Sequence, residues 1–536
     1  MENLQRAGDI IFTCTEEVQE VDIFISHNWG ASRWAKFLGL CLYLNLGLAV
    51  KCAFGTFATV LVILTASAGQ EGNGGKDLLF PLLVHLPVVV FFLAFFFGQS
   101  FCGLDCCWAP SIWVDKLCVH QADQVLKQSQ VLALPVFVAK SSHMLVLWDE
   151  RYFQRLWCSL EIATFAKHGN LTNLDIVPLW LAPWVLSSVL MELLNVNVLY
   201  MSYYIFPNWT GAVWGQLQPL VVSLFGDSPR VVTFWVMWSI FVISGFCFIP
   251  GLVPSFLSFQ RKIHDHQVML EQMASFNISE ARCTVAADRT EIKKMVEDLF
   301  SADHLKEVHT INVDGPGEDD PGCAGCAGSN DSSPADLNAL DRFNSCVRGP
   351  LRDSVLQKIG TELHVPLKLC FVAMMPNFFY GAVNIFGCDA GPCATSAKEN
   401  GFDSVEQYML LQIIAWSLCL LLTYPLQYPL TLRMLRLAMS IGTGPLTQIL
   451  AFAACVLTQG YVHACGGVVF GALWTLSQQF SPAWLCIFLV FLAVQIQQLL
   501  WAFRQPGKDL PSCRGISRVA GSDPRDGGEA CCLLEE

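Results

Sequence analysis

WVDKLCVHQAD at 113–123, SSHMLVLWDERYFQ at 141–154 and RLWCSLEIATF at 155–165 lie in one stretch, Trp113–Phe165, that decides the fold. Ile112–Asp115 reads as a short strand. Gln124–Ser141 reads as a helix interrupted at Pro135. His143–Trp148 is the next strand, and Gln154–His168 an amphipathic helix with Leu156, Leu160, Ala163 and Ala166 near one face. Leu174–Leu181 is a further strand. Short strands alternating with helices predict a parallel sheet flanked by helices.

Upstream, VDIFISHNWG (21–30) reads as a buried strand ending in a polar turn, with Val21, Ile23 and Ile25 alternating with Asp22, Phe24 and Ser26. After Ser32 a helix grows steadily more apolar. Leu46–Ser67 and Leu79–Phe101 are each long enough to cross a bilayer, which takes about 20 apolar residues. Together they make a hairpin that returns the chain to its starting side, so the strand at Ile23 and the stretch from Trp113 can share one domain. Lys51 and His85 lie inside these spans, where ionisable groups are costly and therefore functional candidates. Snorkelling accounts equally well for Lys51.

The whole composition agrees with a membrane chain. Of 536 residues, 53% are hydrophobic and only 14% charged, and the mean hydropathy is +0.45. Soluble domains carry about 25% charge. A net charge of −13 excludes a nucleic-acid binder, which needs a basic footprint. Residues 1–20 are too polar for a signal peptide, so the N-terminus is expected to stay in the cytosol. The 23 cysteines are scattered, many in apolar runs where they act as small hydrophobes. Cys102, Cys106 and Cys107, at a membrane edge, suit packing or S-acylation better than zinc.

Downstream, Pro183–Phe206 is apolar except for Glu192 and reads as a closing helix or a weak span. Val231–Phe259 reads as an uncharged span, followed at once by Arg261 and Lys262. The region 260–366 is polar, with helices expected at Asp288–Phe300 and Asp336–Lys358. Between them lies a Gly/Ser/Asp/Pro-rich loop that carries Cys323-x-x-Cys326, a weak redox or zinc motif there. Spans near Leu367–Gly387, Tyr408–Leu432, Pro445–Leu476 and Pro482–Ala502 close the chain. Basic residues place the middle region, the Arg433 loop and the tail in the cytosol. Cys388 and Cys393 then face outside, where a disulfide is allowed, and so does the sequon at Asn208. Parity favours eight spans over seven, with Pro183–Phe206 as one of them.

Three motifs carry a family resemblance. VDIFISHNW resembles the first strand of a Toll/interleukin-receptor (TIR) domain. MLVLWDERYFQRLWCSLEIATF resembles that family's third strand and helix through Tyr152, Trp157, Cys158, Glu161 and Ile162. WVDKLCVHQAD is similar to fungal heterokaryon-incompatibility domains. The membrane arrangement resembles predicted proteins of dinoflagellate-type protists. The resemblance implies an α/β parallel-sheet TIR-like domain interrupted by a transmembrane helical hairpin, followed by an α-helical transmembrane bundle. It implies signalling or sensing by self-association, with cleavage of NAD, as substrate rather than cofactor, at the nicotinamide bond. Glu161 is then the catalytic residue, and Trp157 lines its pocket one helical turn away. His27, Trp29 and Asp115, with Lys116 beside it, are the expected substrate contacts at the carboxyl ends of the strands. A carboxylate near the ribose stabilises the oxocarbenium-like centre of that reaction. Two of the family's features, a last strand and its helix, are not evident, and no metal site is expected.

The expected division is 1–36 for the first strand and helix start, 37–101 for the hairpin and 102–182 for the rest of the domain. Then come 183–259 with one or two spans, 260–366 as a cytosolic, partly disordered region, 367–503 with four spans and 504–536 as a cytosolic tail. Membrane lipid and further copies of the chain are the expected partners. The alternative function is a transporter or channel with a regulatory α/β domain, for which Gln448, Gln459 and His463 are the polar groups within the spans.

Overall fold

The structure, a computed structural model, describes residues 12, 15–16, 18–67, 79–102, 110–120, 123–168, 171–206, 209–283, 286–301, 338–387, 393–399, 401–442 and 444–504. Cys106, Cys107, Asn208, Cys323, Cys326, Cys388 and the tail from 505 lie outside the described residues. The described residues are mostly helical with one small sheet.

The sheet has four parallel strands in the order β2-β1-β3-β4. They are β1 (Val21–His27), β2 (Ile112–Trp113), β3 (Ser141–Trp148) and β4 (Leu174–Pro178). Ile23 pairs with both Ile112 and His143, and Val146 pairs with Ile176. The hairpin therefore does not divide the sheet. It is inserted between two neighbouring strands, as its return to the starting side requires. Asp22 clamps that junction by accepting from the Ser111 amide at 2.7 Å and hydroxyl at 2.9 Å.

The alternation along β1 has a different cause from a half-solvated strand. Phe24 and Ser26 are as buried as Ile23 and Ile25, because the sheet is covered on both faces, as parallel sheets are. One face (Ile23, Ile25, Leu145, Leu147, Val177) belongs to the apolar core of the bundle. The other (Phe24, Met144, Val146, Ile176) packs beneath helices of the α/β domain.

Helix α1 (Arg33–Ser67) lies on the first face. It approaches closely at Gly39, where an added Cβ would come within 3.3 Å of Leu147 and 3.4 Å of Leu179. It runs beside α2 (Leu86–Cys102), which is preceded by a π-turn at Pro81–His85. Inside the domain, Gln124–Ser141 is broken at Pro135 into α3 (Gln124–Leu132) and α4 (Leu134–Ala139), and Asp123 caps α3 by accepting from the Val125 and Leu126 amides. Helix α5 (Leu156–His168) is not amphipathic. Its Leu156, Cys158, Leu160, Ile162, Ala163 and Phe165 are all buried, since it has the sheet on one side and a later helix on the other.

That later helix comes from the region read as a partly disordered cytosolic segment. Helices α6 (Leu181–Ile205), α7 (Trp209–Phe225), α8 (Pro229–Ser244) and α9 (Ile249–Ala274) intervene. Then α10 (Ala286–Phe300) and α11 (Ala339–Cys346), which continues through a π-turn into α12 (Arg352–Ile359), close over α5. Ile292, Val296, Phe343, Val347 and Val355 join the same apolar cluster as Met144 and Leu160. Phe343 is fully buried, with its ring 5.6 Å from Phe276 and 5.3 Å from Phe300. Phe343→Ala is expected to cost about 3–5 kcal/mol, read by pulse proteolysis of the full chain in detergent. A cost below about 1 kcal/mol contradicts this place in the core.

This closure bears on span number. The chain leaves the α/β domain at Pro178 and rejoins it near Asn277, so it crosses any bilayer an even number of times between. Among the described residues, the helices long and apolar enough to cross in that interval are two, Leu181–Tyr203 and Pro229–Ala274. The sequence run Val231–Phe259 is thus part of a longer rod, α8 and α9 joined by a 3-10 turn. Helix α7 has no counterpart in the sequence reading, and with 17 residues it is short for a crossing.

The closing bundle holds α13 (Leu367–Ala373) and α14 (Met375–Gly387), bent by 55° at their junction, and α15 (Val405–Leu418) running through π and 3-10 turns into α16 (Gln427–Ser440). Helices α17 (Pro445–Gln478) and α18 (Pro482–Phe503) follow. Among the described residues, seven helices have the length and hydropathy of spans, and the bent pair makes eight. Helix α17 packs tightly on α8 through Gly467 and Gly471, whose added Cβ atoms would lie 3.0 Å and 2.9 Å from the Trp238 and Phe234 carbonyls. This is the small-xxx-small spacing of membrane helix contacts.

Candidate functional site

Ser26 and His27 end β1, Asp115 follows β2 and Asp149 follows β3, so all four lie at the carboxyl edge of the sheet. Strand order reverses between β1 and β3, and ligands bind at such switch points in open α/β sheets. Here the crevice is bridged by side chains. Asn28 Nδ2 donates to both Asp149 oxygens at 2.9 and 3.2 Å, and Arg155 donates to Asn28 Oδ1 at 3.1 Å. Lys36 of α1 donates to the Asn28 carbonyl at 3.3 Å.

Glu161, on α5, reaches the end of β1. Ser26 Oγ donates to Glu161 Oε2 and lies 2.5 Å from the Tyr152 hydroxyl. Ser26 and Tyr152 are fully buried. Glu161 is half-buried as a residue, with its carboxyl group among protein atoms. Burial pushes its pKa up to about 8. The nearby Asp115 charge adds to the rise, while the Ser26 hydrogen bond and Arg155 oppose it. Burial also pushes the Tyr152 hydroxyl and Cys158 thiol far up, so Cys158 is no thiolate nucleophile.

The other expected contacts assemble into one lip. His27 Nε2 stands 3.7 Å from Asp115 Oδ1, and burial holds His27 below its ordinary value, so it is neutral at pH 7. Trp29 is exposed, donates its indole N–H to Asp115, and carries the Lys116 ammonium 5.3 Å from its ring. His27 and Trp29 thus both meet Asp115 across the edge rather than lining two sides of a gap. Trp157 is half-buried and packs on the apolar cluster under α5. Tyr152 was in the motif, but its bond to Ser26, and the Asn28–Asp149–Arg155 bridge, join residues more than a hundred positions apart. No spacing rule reaches that far.

The raised Glu161 value has a consequence for stability. A folded-state pKa of about 8 against an ordinary 4.5 means the fold prefers the protonated acid. Its contribution is complete below the unfolded value and is lost as pH rises through about 8. Gln mimics the protonated acid. Glu161→Gln is therefore expected to match wild type near pH 5 and to be more stable by about 2 kcal/mol at pH 9, allowing for partial exposure. Melting curves at the two pH values check this, and equal shifts at both contradict it.

A second feature lies across β3. A cavity of about 710 Å³ opens between the sheet edge and the bundle, with walls from Trp148, Asp149, Trp180, Trp184, Ser258 and Lys262 among others. Glu161 is not in its walls. At its rim Glu150, His264 and Asp265 bring ligand-type atoms within 4.8 Å of one another, but Asp265 is already 3.4 Å from Arg261.

Within the bundle, Glu192 of α6 is buried and accepts from Asn377 at 2.9 Å, Tyr428 at 3.2 Å and Asn195 at 3.4 Å. Of the two ionisable groups flagged in the hairpin, His85 is bonded to Asn197 Oδ1 at 3.0 Å and Lys51 is exposed. Gln448 bonds to Gln260 at 2.9 Å, and Gln459 and His463 are buried against each other.

No family model, curated protein or solved structure matches this chain.

Proposed function

We propose that this chain is a multi-pass membrane protein whose α/β domain is TIR-like, acts in signalling or sensing through self-association, and uses Glu161 to cleave NAD. The observation that carries the reading is the convergence of Glu161 with Ser26, His27 and Asp115 at the carboxyl end of β1. The parallel order β2-β1-β3-β4, with the glutamate on the helix after β3, agrees with the motif order in the sequence.

In the reaction the ribose C1′–nitrogen bond breaks, and neutral nicotinamide leaves with the bonding electron pair. Water adds to C1′ and releases a proton, so no oxidant or reductant enters. The ionised Glu161 carboxylate stabilises the cationic ribosyl centre and orients its hydroxyls. The positive nicotinamide ring of the bound substrate favours that ionised form.

Self-association has support in the segment between β2 and β3. Leu117, Val125, Leu132 and Val136 are apolar and 45–78% exposed there among the described residues, a patch of the kind that marks protein contacts. The test is nicotinamide release by the full chain in nanodiscs, free and crosslinked into clusters. Release that depends on Glu161 is expected; none in either state removes the enzymatic part.

The transport reading keeps one specific support. Glu192 sits beside a helix pair bent by 55°, and broken helices and buried carboxylates mark ion paths in membranes. Proton flux into proteoliposomes, followed by an entrapped pH dye and lost in Glu192→Gln, would favour it.

A further inference from the structure

Where the end of β3 meets α9, three ligand-type side chains gather outside the Glu161 cluster. Glu150, which follows β3, and His264 and Asp265 of α9 bring one ligand atom each within 4.8 Å of one another. Glu150 and His264 are exposed, whereas Asp265 is only 7% exposed. The backbone supports this meeting. Further along α9, Gln272 Nε2 donates to the Glu150 carbonyl at 2.7 Å and holds the Glu150 turn against the helix. Glu150 and His264 lie more than a hundred positions apart, so no spacing in the sequence announces the set.

Its ligand atoms are uncommitted. The Glu150 carboxylate and the His264 ring make no hydrogen bond or ion pair among the described residues. Asp265 has Arg261, whose Nε reaches Oδ2 at 3.4 Å, while Oδ1 has no partner among the described residues. Buried carboxylate oxygens are ordinarily hydrogen-bonded, so this one is short of a donor or a cation. Arg261 is a weak competitor, because its side chain is 80% exposed and its contact is long. Such an exposed pair contributes little, and the guanidinium is free to swing into solvent.

The ligand types select the occupant. Two carboxylates and one imidazole suit a divalent ion such as Mn²⁺ or Zn²⁺. An ion about 2.0–2.2 Å from each ligand needs them roughly 3.0–3.5 Å apart, a closure that the exposed Glu150 and His264 side chains reach by rotation. We propose that Glu150, His264 and Asp265 bind one divalent metal ion of this class. Three protein ligands leave the remaining positions to water. The ion joins the carboxyl end of β3 to α9. That helix packs through Phe256, Phe259 and Ile263 in the bundle core and through Met269, Leu270 and Met273 in the α/β domain, so the ion lies at the junction of the two. This inference depends neither on the chemistry of Glu161 nor on transport.

The test uses the full chain in detergent, stripped with a chelator, desalted and titrated with Mn²⁺ alone. Thiolates favour softer ions, so Mn²⁺ keeps the cysteines out of the measurement. Bound Mn²⁺ is counted by electron paramagnetic resonance. One ion per chain is expected, with spin-echo modulation from a bound imidazole nitrogen. Glu150→Gln and His264→Gln change exposed side chains that folding tolerates, and each is expected to weaken Mn²⁺ at least tenfold. His264→Gln also loses the nitrogen modulation. Arg261→Ala, which frees Asp265, is expected to tighten Mn²⁺ about fivefold. Glu297→Gln, at an exposed carboxylate of α10, is expected to leave the affinity unchanged. Wild-type chain that retains no ion overturns the proposal, as does wild-type affinity in Glu150→Gln or His264→Gln. Several weakly held ions, reduced alike by Glu150→Gln and Glu297→Gln, mean adventitious binding and overturn it too. An Arg261→Ala affinity equal to or below wild type assigns Asp265 to its arginine and also overturns it.

Discussion

Glu192→Ala is expected to destabilise the chain by about 3–5 kcal/mol, while Glu192→Gln costs about 1 kcal/mol or less. Glu192, Asn195, Asn377 and Tyr428 are all at least nine-tenths buried. They join α6 to α14 and α16, three helices far apart in sequence, through one carboxyl group. Ala removes the acceptor from all three donors and leaves a void. Gln keeps the shape and one acceptor oxygen for Asn377 or Tyr428. Unfolding in mixed micelles, followed by thermal aggregation or by protease susceptibility, separates the two variants. An Ala variant as stable as wild type means the bundle is organised elsewhere. The bend between α13 and α14 makes this sensitive, because Asn377 stands at the start of the second segment, where a continuous helix no longer fixes it.

Glu161→Gln is expected to lower nicotinamide release by about 10²–10³-fold. The variant should remain folded, since Gln replaces the protonated acid that the fold favours. The wild-type profile is diagnostic. With a pKa of about 8, most Glu161 is protonated at pH 7. If the carboxylate is the working form, kcat/KM of the free protein rises with pH and levels off above about 8. His27 does not supply that limb, because burial moves it the other way. A profile flat from pH 6 to 9, or a Gln variant with full activity, contradicts a catalytic Glu161.

Much of the fold was legible because it is written in local periodicity. The four strands fall where short apolar runs predicted them, and Pro135 splits its helix as a missing donor and a ring clash require. The apolar segments of the bundle follow from length alone. What was not legible depends on pairing across the chain. The helices at 286–300 and 339–359 carry ordinary mixed sequences, and nothing local says that Ile292 and Phe343 complete a sheet domain begun at Val21. The burial of α5 on all sides has the same origin. Helix α7 was missed because Pro219 and its polar flanks break the apolar run. Within the site, the helix position of Glu161 and its four-residue spacing from Trp157 were readable. The Ser26 partner, the Asn28–Asp149 bridge and the closed contact of Trp29 with Asp115 were not, because each joins separate strands' ends.

The account rests on one α/β domain built from three stretches of chain, separated by a hairpin and by α6–α9, and lying on one side of the membrane. Sidedness tests it directly. Two epitopes, one at the N-terminus and one inserted after Ser301, are exposed to protease in sealed vesicles of known orientation. Both are expected to be cut together or protected together, in every preparation. One cut while the other is protected would place an odd number of crossings between β1 and α10, and would contradict the assembled domain.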